Sequence, residues 1–295
     1  TQNWAEALKW WELAANQGHA AAQHALDCNQ HRCVPGTQEI LENAEAGNAD
    51  AQCNLGNAYY DGDGVTQNYT EAVKWYELAA NQGHASAQFN LGCAYAAGEG
   101  VTQNDAEAVK WYELAANQGF AAAQFNLGNA YNKGEGVPQN DAEAVKWYEL
   151  AANQGFASAQ HNLALAYYSG NGVPQNYAEA AKWCELAANQ GHVDAQFNLG
   201  CTYDEGNGVP QNYAEAAKWW ELAANQGNAD AQFNLANACY SGNGVPQNYA
   251  EAAKWWELAA NQGNADAQFN LANACYSGNG VPQNYAEAAK WWELA

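Results

Sequence analysis

The sequence predicts an all-α array of stacked helical hairpins, and three observations predict it. Residues 261–295 repeat residues 225–259 letter for letter, 36 positions further on. Trp75, Trp111, Trp147, Trp183, Trp219, Trp255 and Trp291 keep the same step. So do Gly83, Gly119, Gly155, Gly191, Gly227 and Gly263. A fixed period of this size marks a repeat architecture, and the polar stretches between apolar stripes make the repeat a pair of helices. Modules of such an array touch only their neighbours, so one elongated body over residues 1–295 is expected.

The first helix of each module is read from residues 68–83, NYTEAVKWYELAANQG. Asn68 is an N-cap, and Glu71 three residues on reads as its capping-box partner. Ala72, Trp75, Tyr76 and Ala79 fall at i, i+3, i+4 and i+7, one apolar stripe. Gly83 follows where a left-handed C-cap is wanted. We name this the Trp helix. The second helix is read from residues 48–62. Ala51, Leu55, Ala58 and Tyr59 form its stripe, and Gly56 lets a neighbouring backbone come close. Gly62 ends it, Gly64 follows, and Val65 leads to the next cap. In later copies a Pro such as Pro138 forbids further helix. We name this the Leu-Gly helix. Both are too short to stand alone in water, so stacking must supply their stability.

Taken in order, residues 3–18 read as a Trp helix and 19–29 as the start of a Leu-Gly helix. The register then breaks, and repeat 2, at about residues 30–65, is short and degenerate. Its Trp helix is reduced to about Gln38–Ala46, with Glu39 and Ile40 in the slots of Trp and Tyr. From Gly47 the period holds. About eight helix pairs and one terminal unpaired Trp helix are expected. The chain opens at a helix cap without an initiating Met and stops inside a repeat, which reads as a mature or trimmed fragment.

The pattern A-x-x-x-L-G-x-x-Y-x-x-G-x-G-V, followed by A-x-x-W-Y-x-x-A-A-x-x-G, resembles the Sel1-like repeat family, relatives of the tetratricopeptide repeats. Ala87, Leu91, Gly92, Tyr95, Gly98, Gly100, Val101, Ala108, Trp111, Tyr112, Ala115, Ala116 and Gly119 carry it in one copy. Ala164, Ala236 and Ala272 replace the Gly after Leu. The resemblance implies a right-handed α-solenoid, an adaptor or scaffold role, and a bacterial protein exported to the periplasm or beyond the cell. It also places the Leu-Gly helix on the concave face. Groove positions implied by it are Phe89, Phe125, His161, Phe197, Phe233 and Phe269, two residues before Leu. Two after come Asn57, Asn129, Asn237 and Asn273, and five after come Tyr60, Tyr168, Tyr240 and Tyr276. Five before come Asp50, Asp194, Asp230 and Asp266. Asn in these slots would hold a peptide backbone. The alternative is that Phe and Tyr pack between adjacent hairpins.

Ten Lys and Arg stand against 32 Asp and Glu, a net charge of −22. That argues against nucleic acid, whose phosphates need cations, and against an anionic membrane. Apolar runs are short, so no membrane insertion is expected. Eight cysteines are dispersed, and Cys239 and Cys275 take the Tyr59 slot, as small buried residues would. His24, Cys28, His31 and Cys33 cluster in the broken segment. A zinc site, a Cys28–Cys33 disulfide or neither are the open readings. Asp61-Gly-Asp63-Gly lacks the later acid of a calcium loop. His19, His84 and His192 read as helix-start residues. No nucleophile–base pair or paired-acid site is visible, so no enzyme and no cofactor are expected. The expected function is a protein-interaction scaffold that holds a peptide or protein partner in its groove. The alternative is a structural subunit that self-associates end to end through its terminal repeats.

Overall fold

The computed structural model describes residues 37–295, which hold fifteen α-helices and, among the described residues, no strand. Two compact units divide the chain, Thr1–Trp147 and Tyr148–Ala295. The first contains α1 (Thr37–Glu45), α2 (Ala49–Asp61), α3 (Tyr69–Asn81), α4 (Ala85–Ala97), α5 (Asp105–Asn117) and α6 (Ala121–Lys133). The division falls within α7 (Asp141–Asn153). The second contains α8 (Ala157–Ser169), α9 (Tyr177–Asn189), α10 (Val193–Glu205), α11 (Tyr213–Asn225), α12 (Ala229–Ser241), α13 (Tyr249–Asn261), α14 (Ala265–Ser277) and α15 (Tyr285–Leu294). The all-α expectation holds, as helix–turn–helix modules that repeat every 36 residues.

Each Trp helix begins as the sequence implies, with one difference. Asn68 Oδ1 accepts from the Glu71 N–H at 3.2 Å. The return bond of a capping box is absent: the Asn68 N–H donates to the Tyr59 carbonyl at 2.8 Å. Glu71 instead pairs with Lys74 one turn on. The loop is thus pinned to the preceding helix, and the acid is left for a surface ion pair worth a few tenths of a kcal/mol. Most Leu-Gly helices start on an Asn or His cap, while α6 and α8 start on Phe120 and Phe156 with no side-chain cap bond. His84 Nδ1 and His192 Nδ1 accept from the N–H groups of Ala87 and Ala195, which confirms them as helix-start residues.

The core of each unit is a run of small and large apolar residues shared by successive modules. In the first unit Leu55, Tyr59, Ala72, Tyr76, Ala79 and Leu91 are buried together. In the second, Trp220, Leu235, Trp256, Leu271 and Cys275 do the same. Cys239 and Cys275 are buried and free, as the slot predicts. In the degenerate α1, Leu41 and Ala44 carry the burial, while Glu39 faces solvent.

Two glycine slots set how closely modules approach. A Cβ on Gly92 would lie 2.7 Å from the ring of Tyr112, so the flat ring rests directly on backbone. Gly244 has φ +76°, and a Cβ there would collide with the Tyr213 carbonyl of the preceding module. It therefore serves both a left-handed turn and a close crossing.

A polar ladder runs beside this core. Gln52, Gln88, Gln160, Gln196, Gln232 and Gln268 are each buried. Each donates Nε2 to the Ala carbonyl eight residues back, as Gln88 does to Ala80 at 3.1 Å. All but the last accept at Oε1 from the Gln that closes the next Trp helix. Gln82 bonds Gln52, Gln118 bonds Gln88, Gln190 bonds Gln160, Gln226 bonds Gln196 and Gln262 bonds Gln232. A buried amide must be satisfied at both ends, and this pairing does so across the module boundary.

Candidate functional site

In each unit, successive Leu-Gly helices form one continuous face with the aromatic residue that each following Trp helix lays against them. In the first unit, Asn57 Oδ1 accepts two bonds. One comes from the Tyr76 hydroxyl and one from Asn90 Nδ2, both at 2.9 Å. In the second unit the pattern recurs with an indole. Trp256 Nε1 donates to Asn237 Oδ1 at 3.0 Å, and Asn270 Nδ2 donates to the same oxygen at 3.3 Å. An indole N–H can only donate, so the atom it meets is the amide oxygen. Among the described residues, neither the Asn237 Nδ2 group nor that of Asn57 finds an acceptor.

In two copies, Cys93 and Cys201, sulfur takes the place of Asn in this slot, and in a third the slot holds Leu165. Tyr112 donates its hydroxyl to Cys93 Sγ at 3.5 Å, and Asn126 and Asn234 approach Cys93 and Cys201 at 3.9 and 3.8 Å. Asn129 lines a cleft of about 170 Å³ with Asp105, Tyr112, Asn126, Lys133 and Glu135. Asn273 is exposed and joins Asn237, Tyr240, Trp256 and Asn270 around a cleft of about 390 Å³.

The tyrosines five residues after Leu stand at the edge of this face, each paired with the first residue of the next Trp helix. Tyr60 meets Tyr69 at 5.1 Å, Tyr168 meets Tyr177 at 5.2 Å, Tyr240 meets Tyr249 at 5.0 Å and Tyr276 meets Tyr285 at 5.2 Å. All four pairs are exposed. Tyr60 also donates to Glu99 of the next Leu-Gly module, and that bond pushes its phenol up to about 12. Tyr168 makes the same bond to Glu205.

Phe residues two before Leu sit differently. Phe89 lies 6.0 Å from Tyr112 and 5.2 Å from Phe120, against the core of the next module. Phe197 and Phe233 are half-buried against the core of the second unit, Phe125 is half-buried, and Phe269 is 53% exposed. His161 takes the same slot, stacks on His192 at 4.7 Å and meets Asn198 at 3.0 Å. Burial, and then the neighbouring His192, hold the His161 imidazole below its ordinary value. The acids five before Leu tie successive helices: Asp50 pairs with His84 and Asp230 accepts from Asn264 Nδ2. Asp194 and Asp266 face solvent.

No group of His, Cys, Asp and Glu able to hold a metal lies among the described residues. The cluster His24, Cys28, His31 and Cys33 lies outside them, as does His19. Two contributors to this face are not among the groove positions that the sequence implies. They are the Asn before each Leu, which supplies the donors of Asn90 and Asn270, and, buried behind it, the glutamine ladder that fixes the spacing of successive Leu-Gly helices. Both types recur in every copy from Gly47 onward beside the apolar stripe, and that recurrence is the signal by which they are legible.

Sequence comparison with known families adds the name. The Sel1 repeat model matches residues 1–19, 49–84, 85–120, 121–156, 157–192, 193–228, 229–264 and 265–295. The chain belongs to the Sel1 repeat family. Solved structures agree. A protective antigen of uropathogenic Escherichia coli strains displaying an SLR fold is 39% identical, with a TM-score of 0.85 over 88% of this chain and 56% of that one. A Sel1 repeat protein from Oxalobacter formigenes is 34% identical, with a TM-score of 0.72 over 82% of this chain and 96% of that one. The match therefore spans little more than half of the first and nearly all of the second. No curated protein is significantly similar to it. The Sel1 solenoid commonly serves as a protein-interaction scaffold and is generally non-catalytic. No helix among the described residues is long and apolar enough to cross a membrane.

Proposed function

We infer that this Sel1 chain is a non-enzymatic scaffold that holds an extended segment of a protein partner along its Leu-Gly helices. The observation that carries the reading is the fixed orientation of Asn57 and Asn237. Two donors occupy each Oδ1, so each Nδ2 is held as a donor for an acceptor from outside. Backbone carbonyls of an extended peptide are such acceptors, and the paired tyrosines beside them offer rigid aromatic contact. Seven lysines, from Lys74 to Lys290, pair with an acid one turn earlier. The net acidic surface that remains favours a neutral or basic partner.

Selection of displayed random peptides against the immobilised chain tests this. Asn237→Asp keeps the acceptor for Trp256 and removes the donor. Selected peptides should lose about three- to tenfold in affinity for that variant, one hydrogen bond's worth. Peptides that bind both forms alike contradict the reading.

One observation favours a second reading, self-association through the last modules. Residues 225–259 and 261–295 are identical, so the modules of one copy offer another copy surfaces of a kind that already pack on one another. Light scattering across a concentration series distinguishes the two readings: growth in mass supports this one, and a constant monomer removes it.

A further inference from the structure

The slot after each Trp-slot residue holds a large ring in most modules. Tyr76 and Tyr112 fill it in the first unit, and Trp220 and Trp256 in the second, all buried. Their rings lie over the residue after Leu: Tyr76 over Gly56, Tyr112 over Gly92, Trp220 over Gly200. In α9 the slot holds Cys184 instead, buried and without a ring. Ala164 is the residue beneath it. The missing ring is matched by a cavity of about 180 Å³ whose lining includes Ala164, Leu165, Ala180, Cys184, Asn198 and Thr202. Ala164, Ala180, Cys184 and Thr202 form its buried wall. Leu165 and Tyr168, 44% and 41% exposed, and the exposed Glu205 stand where it opens.

We propose that this cavity is a binding subsite for one aromatic side chain, a tyrosine or tryptophan presented by a bound polypeptide. The size fits: an apolar cavity of about 150 Å³ holds one benzene ring. The occupants of the same slot elsewhere define the chemistry, a phenol in Tyr76 and an indole in Trp256. Each donates to a polar group of the preceding Leu-Gly helix. Here that position is Leu165, which cannot accept. The nearest substitutes are the Asn198 amide, which keeps the place of Asn90, and the Glu205 carboxylate at the mouth. Glu205 already accepts from the Tyr168 hydroxyl and from Asn207 Nδ2, which orients it. A ring carrying a hydrogen-bond donor is favoured over a plain phenyl. Burial raises the Cys184 thiol to about 12 and the Cys201 thiol to about 11, so both stay neutral and the wall stays apolar. The inference rests on the groove reading above for the source of the ring, and not for the cavity itself.

The test uses p-cresol, the tyrosine side chain alone, and the blocked peptides Ac-Ala-Tyr-Ala-NH2 and Ac-Ala-Ala-Ala-NH2, titrated into the full chain and followed by NMR. Saturable p-cresol binding of roughly millimolar affinity is expected, with shifts centred on Leu165, Cys184 and Thr202. Cys184→Trp fills the slot as Trp256 does over Ala236, and should weaken p-cresol about tenfold or more. Should that variant not fold, Cys184→Leu fills part of the volume and should weaken it severalfold. No saturable binding, or equal binding by the filled variants, overturns the subsite and leaves the groove reading standing. The tyrosine peptide should bind more tightly than p-cresol, and the alanine peptide far more weakly than either. If p-cresol binds while the tyrosine peptide gains nothing over it, the subsite stands and the groove reading fails.

Discussion

Gln82 donates its Nε2 to the Oε1 of Gln52 at 2.7 Å, thirty residues back and on the preceding module. Gln52 in turn donates to the Ala44 carbonyl. One side chain thus satisfies its own helix pair and receives its neighbour's, so the ladder is a register device between modules as much as a stabilising contact. Replacement of Gln232 by Leu removes the side-chain donor from the Ala224 carbonyl, which keeps the Gly227 N–H, and takes the acceptor from Gln262. Losing these two bonds should cost about 1–2 kcal/mol. Urea unfolding measures the loss. Hydrogen exchange should place it at α11–α13, since modules couple chiefly to their neighbours.

The two kinds of positive-φ glycine should respond differently to a methyl group. Gly227 has φ +93° with open space around it, so Gly227→Ala meets only the backbone penalty, about 1–2 kcal/mol. Gly244→Ala meets that penalty and the Tyr213 carbonyl as well. Its loss of stability should exceed that of Gly227→Ala by at least about 1 kcal/mol. Equal losses would show that the module spacing can relax.

Much of this architecture is legible in the sequence, and the reason is physical. Caps, stripes and terminal glycines are set by residues three or four apart, so Asn68, Trp75 and Gly83 announce their roles locally. What is not legible depends on register between copies. The acid at Glu71 fits a capping box, yet the Asn68 N–H is taken by Tyr59, a loop away. Family resemblance points to the amide row around Asn57. That its oxygen is committed to Tyr76 and Asn90, and its nitrogen is not, takes three-dimensional structure to see. The Phe slot faces the next module's core at Phe89, a packing contact that pattern alone leaves open.

Trp256 combines packing with a polar duty. Trp256→Ala should cost about 3–5 kcal/mol through the cavity it leaves. Trp256→Phe keeps the smaller part of the ring system and loses the donor to Asn237 and some buried volume, so about 1–2 kcal/mol is expected. In that variant Asn237 is held only by the Asn270 Nδ2 bond, and its side-chain amide resonances should broaden or move.

His161 gives the fold a pH dependence with a defined sign. Its folded pKa lies below the ordinary value, so the unfolded chain takes up the proton first. The contribution to stability is present above the unfolded value of about 6.5 and is lost as pH falls from there through the folded value. Denaturation midpoints should therefore drop across this window. His161→Phe, which installs the residue found at Phe197 and Phe233, should flatten that part of the profile. An unchanged profile would assign the dependence elsewhere.

The most direct test of the scaffold reading is the side-chain amide spectrum of Asn57 and Asn237 as a selected peptide is added. The account predicts downfield shifts of their Nδ2 protons with little change at Trp256 Nε1–H, whose bond to Oδ1 is already made. Shifts confined to the Trp helices, with the two asparagines unmoved, would contradict it.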